Sequence, residues 1–229
     1  MAAPVAGSHV RLAAADGFAP GAWIARPATA PRGAVVVVQE IFGVNAHVRE
    51  VCGSFADAGY VAIAPALFDR LERNVELGYD AAGIAAGRDL KARADAGHAL
   101  ADIDAARKAV AGDGRVGVVG YCWGGYLAWL GACRLDGFSA AVVYYGGGIG
   151  DVLGETPRCP VLGHFGERDA MIPMSVVADW RARHPSHPVH TYDADHGFNC
   201  DHRGSHDARA AAVARERTLA FFDRHLAGP

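Results

Sequence analysis

The apolar positions along the chain follow two periods, one typical of buried strands and the other of amphipathic helices. Residues 34–39 (AVVVVQ) form a nearly continuous β-branched run, which indicates a strand buried on both faces of a sheet. Between Val48 and Phe55 the apolar residues recur instead at helical spacing, and Gly59 marks the end of that helix. A strand followed by an amphipathic helix is the repeating unit of parallel α/β proteins.

The same two patterns recur to the end of the chain. They predict further strands at residues 9–14, 22–26, 60–64, 116–119, 140–145, 161–165 and 189–192, and helices at residues 80–110, 122–135, 174–183 and 206–226. The helical stretch 80–110 is alanine-rich and is interrupted by glycines. Strands that alternate with helices indicate a three-layer α/β fold, in which helices flank a mainly parallel sheet of about eight strands. We expect residues 1–229 to form one domain.

Composition narrows the function classes. The chain is 51% hydrophobic and 21% charged, which is typical of a folded globular protein. Its net charge of −3 offers no basic surface for nucleic acid or an acidic membrane, and no apolar run approaches the roughly 20 residues of a membrane helix. The first ten residues lack the features of a secretory signal, so we expect a cytoplasmic protein, monomer or homodimer, whose partner is a small-molecule substrate.

The five cysteines do not suggest a disulfide framework. Their number is odd and no two form a C-x-x-C pair, which also disfavours a thiolate zinc site. Each cysteine is therefore either a core residue or a thiol with its own chemistry.

The strongest motif is residues 120–125 (GYCWGG), which lie between a predicted strand and a predicted helix. This is the nucleophile-elbow pattern G-x-S-x-G with Cys122 in place of serine. The elbow is a strained turn, and Gly120 and Gly124 remove the Cβ atoms that would crowd it. The turn also places the thiol at a helix N-terminus, which favours the thiolate. The alternative is a buried cysteine in a glycine-rich turn.

A base and an acid follow the elbow in the chain order of α/β-hydrolase triads. Asp169 comes after the strand VLGHF, and His196 comes after the strand VHTYD. Because parallel strands end at the same edge of a sheet, we expect both to approach Cys122, with His196 as general base and Asp169 orienting it. Asp193 and Asp195 are rivals for the acid, although neighbours on one loop rarely face each other well.

The remaining histidines are interpreted as surface residues: His164, His184, His187, His190, His202 and His206. His196, His202 and His206 match no spacing of a known metal motif. We therefore expect neither a metal nor a cofactor.

At this point the motifs resemble those of the dienelactone hydrolase family, the carboxymethylenebutenolidases of the α/β-hydrolase superfamily. The resemblance is carried, in order along nearly the whole chain, by residues 39–45 (QEIFGVN), 120–125, the Asp169 loop, 196–198 (HGF) and 216–222 (ERTLAFF). It implies an α/β-hydrolase fold and an enzyme that cleaves an ester or lactone through a Cys-His-Asp triad.

The resemblance also implies roles for three residues outside the triad. In this family a glutamate at the position of Glu40 lies near the thiol, and substrate binding repositions it so that the thiol loses its proton. The backbone N–H groups of Ile41 and Trp123 are implied as the oxyanion hole.

The substrate-binding residues depart from the family pattern. Family members that cleave dienelactones hold the substrate carboxylate with two arginines, one in the long helical region before the elbow and one four residues after the histidine. The second position is Cys200 here, and the first aligns with an apolar residue. Arg88 and Arg203 are the candidates to replace these arginines. Tyr145 is a candidate wall of a less charged pocket, with core packing as its alternative.

The leading hypothesis is thus an ester or lactone hydrolase of dienelactone hydrolase type that forms a covalent acyl-enzyme on Cys122. The alternatives are a general carboxylesterase or thioesterase on the same triad, a binding protein that retains only the fold, and a redox sensor that uses the same thiol.

Overall fold

The structure, a computed structural model, describes residues 7–226 and is organised around one eight-stranded sheet. The strands are β1 (Gly7–Arg11), β2 (Gly21–Ala25), β3 (Ala34–Val38), β4 (Val61–Pro65), β5 (Val116–Tyr121), β6 (Phe138–Tyr144), β7 (Val161–Gly166) and β8 (Val189–Tyr192). The helices are α1 (Ala46–Asp57), α2 (Ala81–Arg93), α3 (Ala96–Ala109), α4 (Trp123–Arg134), α5 (Met174–Arg183) and α6 (Ala208–Leu226). The predicted strands and their order are confirmed.

The sheet order β1-β2-β4-β3-β5-β6-β7-β8 makes the fold mainly parallel. Only the β1–β2 and β2–β4 pairs are antiparallel, and every pair from β4 through β3 to β8 is parallel. Chain segments that follow β3, β5, β6, β7 and β8 therefore leave the sheet at one edge. The predicted α/β-hydrolase architecture is confirmed, and this edge collects the candidate catalytic groups.

The core lies in two layers on either side of the sheet. All residues of β3, β4 and β5 are buried, as expected for strands covered on both faces. Helices α1 and α6 share one face, where Phe55 contacts Phe222, and α4 and α5 share the other, where Trp129 contacts Trp180. None of the helices within residues 7–226 combines the length and apolar character needed to span a membrane.

The stretch 80–110, expected as one helix interrupted by glycines, is instead two helices that separate at Ala94 and Asp95. The Asp95 side chain accepts a hydrogen bond from the backbone N–H of His98 at 2.8 Å and so begins α3 as its N-cap. The glycines at 83, 87 and 97 lie inside the helices. A capping carboxylate, not glycine, therefore sets the break.

His164 corrects a second expectation, because it is a core residue and not a surface one. The ring is fully buried, with Nδ1 2.9 Å from the Tyr192 hydroxyl and Nε2 3.1 Å from the Thr218 hydroxyl. Burial lowers the pKa of His164 well below its usual value, so the imidazole is neutral. It joins β7, β8 and α6 as a structural hydrogen-bonding group.

Candidate active site

Cys122 occupies a strained turn between β5 and α4. Its backbone has φ 54° and ψ −116°, a conformation that side-chain-bearing residues rarely adopt. The Cys122 N–H donates to the Tyr144 carbonyl at 3.1 Å, which ties the turn to the neighbouring strand. Helix α4 begins at the next residue, so the thiol stands at the helix N-terminus, where the partial positive charge favours an anion.

The glycines on either side of Cys122 are required by close backbone contact. A Cβ atom on Gly120 would lie 1.8 Å from the Gly124 carbonyl oxygen, and one on Gly124 would lie 2.3 Å from the Val38 carbonyl oxygen. The turn therefore folds back on itself and against the end of β3. These close backbone contacts are the reason for the G-x-C-x-G spacing. The folded turn keeps Cys122 at the edge of the sheet with 8% of its surface exposed.

His196 and Asp169 meet at the same edge, from the loops after β8 and β7. The imidazole Nδ1 lies 2.7 Å from one Asp169 carboxylate oxygen, Oδ2. The other oxygen, Oδ1, accepts from the Met171 backbone N–H at 2.8 Å. With both oxygens bound and its side chain buried, Asp169 fixes the orientation of the His196 ring.

The remaining nitrogen of His196 faces the thiol. Burial disfavours the charged ring, but hydrogen bonding to Asp169 and the neighbouring Cys122 outweigh it and raise the pKa of His196 to about 9. The Nε2 atom is buried and, within residues 7–226, makes no hydrogen bond of ordinary geometry. Such contacts are often loose before substrate binds. The sulfur, the imidazole and the carboxylate thus lie in sequence.

Asp193 and Asp195, the two alternative acids, lie near Arg168. Arg168 forms an ion pair with Asp193 and lies 3.8 Å from the carboxylate of Asp195. Both aspartates are exposed at the protein surface. Asp169 is the carboxylate that the structure places against His196, which favours it over its two neighbours in the chain.

Glu40 is a buried carboxylate at the end of β3. One of its oxygens, Oε1, accepts from Nη1 of Arg203 at 3.0 Å, and within residues 7–226 the other, Oε2, is buried without a hydrogen-bond partner. Burial opposes the charge of Arg203, but Glu40 outweighs it and raises the pKa of the guanidinium. A buried carboxylate with a free oxygen is costly, which is typical of a functional site.

Arg203 lies beside two aromatic rings that the sequence did not single out together. Its guanidinium carbon lies 5.7 Å from the centre of the Phe42 ring and 5.9 Å from that of Tyr79. Tyr79 lies in the irregular segment before α2 and accepts a hydrogen bond from Asn45 at 3.2 Å. A single tyrosine outside any periodic pattern gives no sequence signal, and only its place beside the N-cap of α2 marks it.

The other predicted substrate contacts differ in their placement. Tyr145 follows β6 with a φ of 36° and is fully buried, its ring 5.1 Å from that of His196. It therefore packs behind the imidazole. Arg88 is exposed on α2 and, within residues 7–226, makes no ion pair or side-chain hydrogen bond. The substrate-binding roles of both residues stay predictions.

The backbone groups of the predicted oxyanion hole lie in the loops that flank the thiol. Trp123 is the first residue of α4, so its N–H has no acceptor within that helix. Ile41 follows Glu40, and its carbonyl lies so close to α2 that a Cβ on Gly87 would come within 2.3 Å of the oxygen. Helix α2 therefore holds the Ile41 loop in place.

Known proteins and a family model match this chain over most of its length. Residues 21–226 match the model of the dienelactone hydrolase family. The chain is 36% identical over 223 residues to the carboxymethylenebutenolidase of Pseudomonas putida, an alignment that covers 90% of this chain and 92% of that protein. A Synechocystis protein assigned as a carboxymethylenebutenolidase is 36% identical over 212 residues, which cover 84% and 86% of the two chains.

A solved structure also resembles this chain over most of its length. A Klebsiella pneumoniae protein assigned as a dienelactone hydrolase superposes with a TM-score of 0.83 at 32% identity, over 95% of this chain and 98% of that one. The similarity therefore extends over nearly the whole fold.

Proposed function

The chain belongs to the dienelactone hydrolase family and is a hydrolase of ester or lactone bonds, and we propose that it acts through a covalent acyl-enzyme on Cys122. The observation that carries this proposal is that a strained thiol and a doubly bound carboxylate lie at one edge of the sheet with a largely buried imidazole, which bonds the carboxylate and lies near the thiol. This arrangement is the triad geometry of acyl-transfer enzymes.

In the proposed first half-reaction, the Cys122 thiol transfers its proton to Nε2 of His196, and the thiolate attacks the acyl carbon. The backbone N–H groups of Ile41 and Trp123 stabilise the developing oxyanion. The carbon–oxygen bond then breaks, the alkoxide takes the proton from His196, and a thioester remains on Cys122. Asp169 stabilises the imidazolium that forms between these two proton transfers.

The second half-reaction consumes one water. His196 removes a proton from the water as it attacks the thioester carbon, and the oxyanion is held by the same two N–H groups. The carbon–sulfur bond breaks, the proton passes from His196 to the sulfur, and the carboxylic acid leaves. The starting state, in which Cys122 and His196 share one proton, is restored.

Arg203 and Glu40 provide a means of recognising a carboxylate on the substrate. A substrate carboxylate that pairs with Arg203 would compete with Glu40 for the guanidinium and leave Glu40 free to assist His196 in removing the thiol proton. Arg203 would thereby take the place of the arginine that the family carries four residues after the histidine, where this chain has Cys200. A partly buried guanidinium beside two aromatic rings suits a planar carboxylate.

The experiment that tests this function compares two substrates. One is a lactone or ester with a free carboxylate, and the other is its uncharged counterpart, with kcat/KM measured for each by release of the acid. We expect turnover of both and a preference for the anion. Arg203→Gln should lower that preference by about 10- to 100-fold, because one charged hydrogen-bonding pair is lost. The ratio of the two substrates is independent of the folded fraction of the variant.

Arg88→Gln is the matched control, since Arg88 is the exposed alternative carboxylate ligand on α2. It should leave the ratio unchanged. Loss of the preference in the Arg88 variant alone would assign the carboxylate to α2. Failure of the wild-type enzyme to hydrolyse either substrate, with thioesters cleaved instead, would favour the thioesterase alternative.

The raised pKa of His196 predicts the alkaline limb of the pH profile. The imidazolium, which supplies the proton to the leaving alkoxide, is lost as the pH rises through about 9. We therefore expect kcat/KM for an alkyl ester to fall above that pH, and to fall less for a 4-nitrophenyl ester, whose leaving group needs no proton. Asp169→Asn should move the limb to lower pH, since hydrogen bonding to the carboxylate helps to raise this pKa. A limb that does not move would separate His196 from the proton transfer.

A further inference from the structure

A second cluster of side chains lies on the outer side of the His196 loop. It consists of His47 and Glu50 on α1 and of Asp201 and His202 in the segment between β8 and α6. We propose that these four side chains bind a zinc ion. The ion would connect the loop that carries His196 to the first turns of α1. Nothing in the sequence pattern indicates this site, because the two pairs are about 150 residues apart.

The distances between the candidate ligand atoms are close to those of a tetrahedral zinc site. One ligand atom from each side chain lies within 4.8 Å of every other. Nδ1 of His47 is 3.1 Å from Oδ1 of Asp201, and Nε2 of His202 is 2.7 Å from Oε2 of Glu50. Zinc bonds of about 2.1 Å place ligand atoms roughly 3.4 Å apart, so metal binding requires only small side-chain adjustments.

The chemistry of the donors suits a divalent cation. Two imidazoles and two carboxylates are nitrogen and oxygen ligands that zinc accepts in proteins. The His47 side chain is nearly fully buried, with 6% of its surface exposed. The site brings the two carboxylates of Glu50 and Asp201 together beside this ring. A divalent cation would balance those two negative charges.

The surroundings allow an ion to enter and to leave. Glu50 and Asp201 keep 59% and 62% of their side-chain surface exposed. A cavity of about 310 Å³ opens beside the cluster and is lined by His47, Glu50 and Asp201 together with His206 and Arg215. An open set of ligands indicates an exchangeable ion rather than a permanently enclosed one.

The position of the cluster connects it to the active site. His202 is followed directly by Arg203, which pairs with Glu40, and the same loop begins with the segment that holds His196. An ion that fixes Asp201 and His202 to α1 would therefore restrict the loop that positions both groups. The two hydrogen-bonded pairs, His47 with Asp201 and His202 with Glu50, are the competing explanation of the same contacts.

The test measures zinc binding in the Cys122→Ala protein, because the thiol beside His196 is itself a potential zinc ligand. Titration calorimetry with Zn²⁺ should give one equivalent of binding, and Co²⁺ should give visible d–d bands without thiolate charge transfer. His202→Ala and Glu50→Gln, both at exposed positions, should weaken Zn²⁺ binding by about tenfold or more each. Zn²⁺ should also raise the Tm of the parent protein but not that of the His202 variant.

His206→Ala is the matched control, since His206 lines the same cavity but is not one of the four ligands. It should bind Zn²⁺ like the parent. No Zn²⁺ binding by the parent, or equal binding by the His202 and Glu50 variants, would overturn the proposal and leave two ordinary ion pairs. Because the protein tested lacks the nucleophile, the result is independent of the hydrolase mechanism.

Discussion

Replacing Cys122 with alanine is expected to lower kcat/KM for a 4-nitrophenyl ester by about 10³-fold or more, with little change in stability. The proposed thioester cannot form without the sulfur, and the remaining oxyanion donors and His196 supply only residual catalysis. The rate is measured by release of 4-nitrophenolate. Intact-mass spectrometry of the wild-type protein mixed with the ester should show an acyl adduct that the variant lacks.

Cys133→Ala is the control for this result. Cys133 is also buried and lies on α4, the helix that starts directly after the nucleophile turn. Its variant should keep both the activity and the acyl adduct. If the Cys122 variant retained full turnover, the nucleophile would lie elsewhere and the role of the elbow would be structural.

Some parts of this site could be predicted from the sequence and others could not. The position of Cys122 could be predicted because the elbow is a local motif, with glycines spaced by backbone contact within six residues. His196 and Asp169 could be predicted because parallel strands deliver their following loops to one edge. The preference for Asp169 over Asp193 and Asp195 came from its separate strand end, whereas the pairing of Arg168 with the other two could not be predicted from the sequence.

Contacts between loops that are far apart in the chain could not be predicted from the sequence. The ion pair of Arg203 with Glu40 joins residues 163 positions apart, and it depends on the path of the irregular segment between β8 and α6. The family pattern has its arginine at the position of Cys200, three residues earlier. Here the guanidinium of Arg203 reaches the site from the next turn of the loop. No periodicity encodes such a path, so Arg203 and Arg88 were equal candidates until the fold separated them.

The fold itself was largely predictable, because its central strands are continuous apolar runs and α1 and α6 have clear apolar stripes. The predictions were wrong where the hydrogen bonds of a polar side chain override the hydropathy pattern. Asp95 divides a helical stretch by capping, and His164 is buried because Tyr192 and Thr218 satisfy both ring nitrogens. Hydropathy ranks such residues as exposed, since it carries no information about hydrogen-bond partners.

A single methyl group on the elbow should have the largest effect on stability. In Gly120→Ala the added Cβ would lie 1.8 Å from the Gly124 oxygen and 2.2 Å from its carbonyl carbon, both backbone atoms that cannot rotate away. Relief requires β5 and α4 to separate, which would disturb the core on both sides. We expect a loss of about 4 kcal/mol or more in the free energy of unfolding, a large part of the stability of a typical domain. Denaturant unfolding measures it.

Gly53→Ala makes the same chemical change where the structure has room for it. Gly53 lies inside α1, and a Cβ there meets no atom within 4 Å. Because alanine is the better helix former, this variant should gain up to about 1 kcal/mol, or roughly 2–4 °C in Tm. The two substitutions add the same methyl group, one against backbone atoms of the elbow and one where no atom lies within 4 Å. Equal stability of both variants would mean that the elbow can open without cost, and the strained presentation of Cys122 would then lose its physical basis.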